Sequence, residues 1–129
     1  MSTAHSKVEI IRTEDRLAEV LRSGTVLIDF YADWCGPCKK IAPEVHALKE
    51  LDIVPVYSVN VDSSNDVSEY AIDTLKVKSI PDIRLFYLDS DGTPKYVKYE
   101  TKKGTVRDFV VKELGKIKEK SEKKVHKKH

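Results

Sequence analysis

Hydrophobic residues follow two spacings along this chain, and each predicts a different secondary structure. The almost unbroken apolar run at 26–31 is typical of a strand covered on both faces of a sheet. Along 37–51, apolar residues recur every three or four positions, which predicts a helix with one buried face. The predicted elements begin with a strand near 8–11, a helix from the N-cap Thr13 through Leu21, strand 26–31 and helix 37–51. Strand 53–60 follows, and then a helix near 66–75 capped by Ser64 or Asn65. The chain ends with strand 82–88, a turn at Asp91-Gly92, strand 95–100 and a helix after Gly104. Strands that alternate with helices and end in a hairpin plus helix predict an α/β fold, a three-layer α/β/α sandwich around a central mixed sheet.

The chain's 129 residues fit one domain with a hydrophobic core and leave no room for a second domain. Its two cysteines exclude a network of structural disulfides, and they exclude a four-cysteine zinc site within one chain. The sequence shows no signal-peptide core and no apolar run of membrane-spanning length. These features lead us to expect a cytoplasmic protein in a reducing compartment, with no membrane partner.

The two cysteines lie at the junction of a predicted strand and a predicted helix, in Trp34-Cys35-Gly36-Pro37-Cys38-Lys39. Cys35 should lie just before the helix N-terminus, where unpaired backbone N–H groups and the helix dipole stabilise a thiolate and lower the thiol pKa. Cys38, one turn into the helix, should be more shielded and keep its proton longer. We therefore expect Cys35 to attack a disulfide and Cys38 to resolve the mixed disulfide.

Less specific interpretations exist for each of these residues. Two alternatives for the cysteines are half of an intermolecular metal site and small buried residues; the strand–proline–helix context favours redox chemistry over both. Asp29 interrupts an apolar strand; it is either a rim residue or a buried carboxyl, whose raised pKa would suit proton exchange with Cys38. The scattered histidines, His46 included, are expected to lie on the solvated surface.

The segment Asp29–Lys39 resembles the active-site segment of the thioredoxin family nearly position by position, and similarity extends over about residues 7–118. Three further similarities lie before the hairpin. Pro43 matches a proline that bends the second helix, Asn60-Val61-Asp62 matches the end of the central strand, and Val77–Pro81 matches the stretch that ends in a cis-proline. Gly92 matches a glycine of the hairpin turn, and Gly104 matches the glycine before the last helix.

The resemblance implies a protein-disulfide reductase that takes electrons from a thioredoxin-reductase-like donor and passes them to disulfide-containing client proteins. It implies a monomer that needs no metal and no bound cofactor. The catalytic residues are then Cys35, Cys38 and Asp29, with Asp29 as the buried proton carrier. The residues expected to contact clients are Trp34, Gly36, Pro37, Ile80 and Pro81.

Three positions depart from the family pattern. Ser58 replaces a lysine that many members carry beside the buried aspartate, so the Asp29 carboxyl is expected to lack a cationic neighbour. Asp82 stands where the family usually has threonine, and Tyr99 stands where it usually has glycine. We expect Asp82 and Tyr99 to lie on the client-docking face and to shift the choice of partner.

The C-terminal stretch has a different composition, with eight lysines and three glutamates from Lys112 onward. The glutamates interrupt the lysines and no aromatic residue lies among them, so a solvated helical extension is favoured over a nucleic-acid site. The predicted organisation is an N-terminal extension at 1–6, the domain at 7–118 and a lysine-rich, frayed or disordered tail at 119–129.

Two other functions are open on the sequence alone. The first is a binding module whose cysteines are incidental or report redox state. The second is a disulfide-forming oxidase of the secretory pathway, although Pro37 between the cysteines resembles the reductase-like choice.

Overall fold

A computed structural model describes residues 8–127 of the chain, with side chains described through residue 120. The predicted extension at 1–6 lies outside these residues. The elements are β1 (Glu9–Ile10), α1 (Glu14–Arg22), β2 (Val26–Tyr31), α2 (Gly36–Glu50), β3 (Val56–Asn60), α3 (Asp66–Asp73), β4 (Asp82–Leu88), β5 (Pro94–Lys98) and α4 (Val106–Lys127). The five strands form one mixed sheet in the order β1-β3-β2-β4-β5, which confirms the predicted α/β architecture.

Strand β2 lies at the centre of the sheet, parallel to β3 and antiparallel to β4. Alternate residues of β2 point to opposite faces, so each face has its own core. Ile28 and Phe30 pack in the core cluster that includes α1 and α3 residues. Leu27 packs in the other cluster, with residues of α2 and α4. Asp29 is on the same face as Leu27, which directs a carboxyl toward the layer that carries the cysteines.

The ends of the helices follow from specific caps. The Thr13 hydroxyl accepts a hydrogen bond from the Arg16 N–H at the start of α1, as the sequence predicted. Asn65 is at the N-cap position of α3 but makes no side-chain capping bond. Pro43 lies inside α2, as expected from the resemblance.

Strand β3 starts at Val56, three residues later than predicted. The chain after α2 first makes a tight turn, with Asp52 at a positive φ of 58° and the Ile53 N–H bonded to the Leu48 carbonyl. That turn holds Ile53 against the end of the helix, so it does not join the strand pairing.

Strand β5 is shorter than predicted, because a 3₁₀ turn at Thr101–Lys103 follows it. Gly104 then adopts a φ of +95°, a conformation that favours glycine, and α4 begins at Val106. Helix α4 continues to Lys127 through most of the lysine-rich stretch. The domain limit at 118 and the frayed tail at 119–129 stay predictions. Among residues 8–127, no helix is long and apolar enough to cross a bilayer.

Candidate active site

Cys35 and Cys38 form a disulfide at the N-terminus of α2, with their Cα atoms 5.3 Å apart. Cys35 is the N-cap residue, and its Sγ accepts a hydrogen bond from the Cys38 N–H at 3.1 Å. Pro37 lies in the first turn, where a missing N–H costs no helical bond. Once the disulfide is reduced, the same N–H groups and the helix dipole favour a thiolate on Cys35.

The two cysteines are equally buried, at 4% exposure each, so this disulfide form does not show the greater shielding expected for Cys38. The difference between them lies in hydrogen bonding, since Cys35 accepts the capping bond and Cys38 donates it. Beside them, Trp34 is 69% exposed, and its indole N–H donates to an Asp62 carboxylate oxygen at 2.7 Å.

The segment before β4 packs against the cysteines from the other side. Ile80 is half-buried against the small cluster formed by Ala32, Cys35 and Cys38. The Ile80–Pro81 peptide bond is cis, which confirms that Pro81 is a cis-proline. Trp34 and Ile80 also line an open groove of about 870 Å³, whose floor and rim include the stretch 76–79.

Asp29 is buried at 3% exposure, and its Oδ1 is the buried side-chain oxygen that lacks a hydrogen-bond partner among the described residues. Burial, together with a smaller contribution from the negative charge of Asp82, raises the pKa of Asp29 to about 7. The carboxyl therefore exchanges protons near neutral pH.

A cavity of about 260 Å³ connects this carboxyl with the active-site helix. Asp29 and Cys38 both line it, together with Ser58, which pairs with Asp29 across β2 and β3. Lys39 also lines the cavity but is an exposed side chain. The cavity offers room for water between Asp29 and the buried end of the disulfide.

His46 was placed on the solvated surface by sequence reasoning, and that placement is wrong. The side chain is half-buried and lines the same cavity as Asp29, and burial lowers the pKa of His46. A signal was present in the sequence. Cys38, Ala42 and His46 are spaced four residues apart, so they share one face of α2, and all three line the cavity.

The expectation that Asp82 contacts clients is also wrong, because its side chain has 0% exposure. Asp82 pairs with Phe30 across the sheet and therefore points to the face covered by α1 and α3. There it forms an ion pair with buried Arg84, at 2.9 Å between Arg84 Nε and Asp82 Oδ1. Asp82 is also absent from the residues that line the groove beside Trp34.

Tyr99 is partly buried against the core cluster on the α2 and α4 side. Its ring packs edge-on against Phe109, with 5.5 Å between ring centroids, and its hydroxyl donates to the Gly104 carbonyl. The residues that line the groove beside Trp34 do not include Tyr99. Its role in client choice stays a prediction. Among the side chains of residues 8–120, no three His, Cys, Asp or Glu are grouped so as to hold a metal ion.

Comparison with known proteins identifies the family. The thioredoxin family model matches residues 7–112. A thioredoxin of Chlamydia trachomatis is 43% identical over 75 residues, which cover 57% of this chain and 70% of the relative. The structure of Trichomonas vaginalis thioredoxin shares the fold, with a TM-score of 0.64 and 23% identity over 85% of this chain and 96% of that one. A mutant thioredoxin from Halobacterium salinarum has a TM-score of 0.63 and 27% identity, covering 85% of this chain and 88% of that one. The chain therefore belongs to the thioredoxin family, and it is a protein-disulfide reductase whose redox pair is Cys35 and Cys38.

Proposed function

We propose that Cys35 is the nucleophile, Cys38 the resolving thiol and Asp29 the proton acceptor in the reduction of client disulfides. The observation that carries this assignment is the Cys35–Cys38 disulfide at the α2 N-terminus, beside a cavity that Asp29 shares with Cys38. The N-cap position supports the nucleophile, because the hydrogen bond from the Cys38 N–H stabilises negative charge on the Cys35 sulfur.

The reaction proceeds in two exchanges. The Cys35 thiolate attacks one sulfur of a client disulfide, and the other client sulfur leaves as a thiolate, which produces a mixed disulfide. Cys38 then gives its proton to the Asp29 carboxylate and attacks the Cys35 sulfur. The second client thiolate leaves and takes up a proton, so the client gains two electrons and the enzyme becomes the Cys35–Cys38 disulfide.

Asp29 suits this role because its pKa of about 7 lets both protonation states exist near neutral pH. Direct contact with the cysteine is not required, since water in the shared cavity can carry the proton. With Ser58 in the neighbouring strand, the carboxyl has no lysine at that position to hold it ionised.

Clients dock, in our proposal, in the groove between Trp34 and Ile80. Gly36 and Pro37 are exposed at the start of α2 and extend the surface next to Cys35. Pro81, partly exposed after Ile80, leaves the Ile80 backbone available to pair with an extended client segment.

The electron donor in this proposal is a thioredoxin-reductase-like protein, and the chain acts in electron transport and cell redox homeostasis as a cytoplasmic monomer. A reducing compartment supports such a cycle, because the disulfide formed in each turnover must be reduced again. Size-exclusion chromatography with light scattering tests the monomer. Fractionation of cells tests the compartment.

Trapping experiments test the assignment of the cysteines. A Cys38→Ser variant cannot resolve the mixed disulfide and is expected to retain client proteins on Cys35, released by dithiothreitol. The matched control is Cys35→Ser with Cys38 intact, which should retain far fewer clients. Equal trapping by both variants would show that Cys38 attacks clients directly, and the assigned roles would be rejected.

An insulin-reduction assay separates catalysis from passive binding. Loss of both cysteines should abolish turnover if the protein is a reductase, whereas a binding module would keep its partners without them.

A further inference from the structure

A buried ion pair follows the cis-proline directly. Asp82 has 0% exposure and Arg84 has 2%. The guanidinium binds the carboxylate through two parallel hydrogen bonds, from Nε to Oδ1 at 2.9 Å and from Nη2 to Oδ2 at 3.0 Å. This two-point geometry fixes the plane of the guanidinium group as well as its position.

The remaining guanidinium nitrogen reaches a different part of the chain. Arg84 Nη1 donates to the Leu75 carbonyl at 2.8 Å. Leu75 immediately precedes the segment 76–81, and Asp82 immediately follows it. One buried side chain therefore holds both ends of this segment.

The segment 76–81 carries groove residues of the proposed docking surface. The groove opposite Trp34 is lined by Lys76, Val77, Lys78, Ser79 and Ile80. Within the segment, Lys76 has a positive φ of 60° and the Val77 N–H binds the Ala71 carbonyl at 3.0 Å. The shape of the groove thus depends on how the two ends of the segment are held.

Aromatic rings enclose the guanidinium and select arginine over lysine. Arg84 Cζ lies 4.4 Å from the ring centroid of Tyr96 and 5.5 Å from that of Phe30. A planar guanidinium can stack on rings while it donates in its own plane, and an ammonium group cannot do both. Lys98 also approaches Asp82, at 3.5 Å, but it is half exposed.

A gain in folding stability alone does not explain the buried Asp82–Arg84 ion pair. Removing two charges from water is costly, and well-packed apolar residues often replace a buried ion pair without loss of stability. The ion pair does provide directional contacts at fixed points, which an apolar cluster would not.

We propose that Arg84 is a positioning residue for client docking, because its guanidinium ties Leu75 to Asp82 and so sets the shape of the groove-lining segment 76–81. The inference rests on the proposed docking role of Trp34 and Ile80.

Steady-state kinetics with two substrates tests it. Arg84→Lys keeps the charge opposite Asp82 but loses the planar set of three contacts. Its KM for insulin should rise about tenfold, the effect expected for loss of a charged hydrogen bond. Its kcat for insulin and its rate with hydroxyethyl disulfide, a substrate too small to need the groove, should stay within about twofold of the parent. Hydrogen exchange at the Val77 amide should speed up, while exchange at the Leu27 amide in β2 stays unchanged.

Two further variants keep the test decisive. Asp82→Thr combined with Arg84→Leu removes both charges together, leaves no unpaired buried ion, and should raise the insulin KM as Arg84→Lys does. Lys98→Gln is the matched control, since it removes a cation from Asp82 without releasing Leu75, and its KM should match the parent.

The outcomes distinguish a failure of the positioning role of Arg84 from a failure of the docking groove itself. If Trp34→Ala raises the insulin KM while the folded Arg84 variants do not, the positioning role of Arg84 is overturned and the docking groove stands. If Trp34→Ala leaves the insulin KM unchanged, the docking groove itself is wrong. An equal loss of activity on insulin and on hydroxyethyl disulfide would also overturn the inference, because it would show general damage to the fold.

Discussion

Replacing Asp29 with asparagine tests the central feature of the site, a carboxyl that is protonated in the folded protein well above its usual pKa. Asparagine has nearly the same shape but cannot ionise. The folded pKa of Asp29 rises from 3.8 to about 7 because the side chain is buried, with a smaller contribution from the charge of Asp82. A tenfold change in an equilibrium constant is about 1.4 kcal/mol. Ionising Asp29 therefore costs about 4 kcal/mol more in the folded protein than in the unfolded chain.

The pH dependence follows from which state holds the proton. Between about pH 4 and pH 7 the unfolded chain has released the proton of Asp29 while the folded protein keeps it, so stability falls as the pH rises. Above about pH 7 both states are ionised, and this contribution stops changing. The stability advantage of Asp29→Asn should therefore be near zero at about pH 4, grow up to neutral pH, and level off at about 4 kcal/mol.

Urea unfolding of the oxidised parent and variant at several pH values measures this difference directly. Other titrating groups are common to both proteins and cancel in the comparison. Asp33→Asn is the matched control, because Asp33 lines the same cavity but is exposed. A stability difference for Asp29→Asn that does not change with pH would refute a raised pKa in the folded state. A variant less stable than the parent at pH 8 would show that the carboxylate is a structural hydrogen-bond centre.

The remaining predictions concern the two thiols and the hydrogen bonds that Tyr99 and Glu44 make to Gly104 and Val106. In the reduced protein, Cys35 should react with iodoacetamide well below pH 8 and much faster than Cys38; mass mapping measures both rates, and equal rates would contradict their assigned roles. Tyr99→Phe should lose about 1 kcal/mol of unfolding free energy, since the hydroxyl bond to the Gly104 carbonyl, two residues before α4, is removed. If the Tyr99 hydroxyl is only structural, insulin turnover should stay unchanged, whereas an altered KM would place the hydroxyl on the docking face. Glu44→Ala should cost about 1 kcal/mol in thermal or urea unfolding, because Glu44 accepts the Val106 N–H at 3.0 Å; Glu44→Gln, which keeps the acceptor oxygen, should cost less.

Elements with a strong local signal were predictable. Strands 26–31 and 82–88 match the structure residue for residue. The cap at Thr13 formed as predicted, because a threonine hydroxyl bonds to N–H groups of its own first turn. The late start of β3 and the 3₁₀ turn at Thr101–Lys103 were not predictable in the same way. They depend on where the chain meets α2 and α4, which local periodicity does not contain.

In the active site too, features with a local sequence signal were predictable and those set by distant contacts were not. The Cys35–Cys38 pair at a helix N-terminus followed from spacing and from one proline. Asp29 was identified as a candidate buried carboxyl because charge rarely interrupts an apolar strand. His46 was missed, although its spacing from Cys38 held the signal, because spacing shows that residues share a helix face without showing what that face meets.

Asp82 shows most clearly what the sequence could not decide. Its position after Pro81 suggested a charge at the docking surface, but the register between β2 and β4 turns it toward the opposite face of the sheet. There Arg84, two residues along the same strand, pairs with the carboxylate, and Leu75 and Tyr96 contact the guanidinium from other segments, which makes the buried charges tolerable.

The sequence by itself determined the fold class, the redox chemistry and the residues of the thiol pair, because these depend on local periodicity and on a motif of six adjacent residues. Only the tertiary structure decided which polar residues are buried, which cavity they share and how Arg84 ties together the two ends of the segment 76–81. These properties arise from contacts between distant segments, and their energies depend on water being excluded from the contact. A single sequence states which groups are present, and the packed fold determines the environment in which each of them titrates, binds or docks.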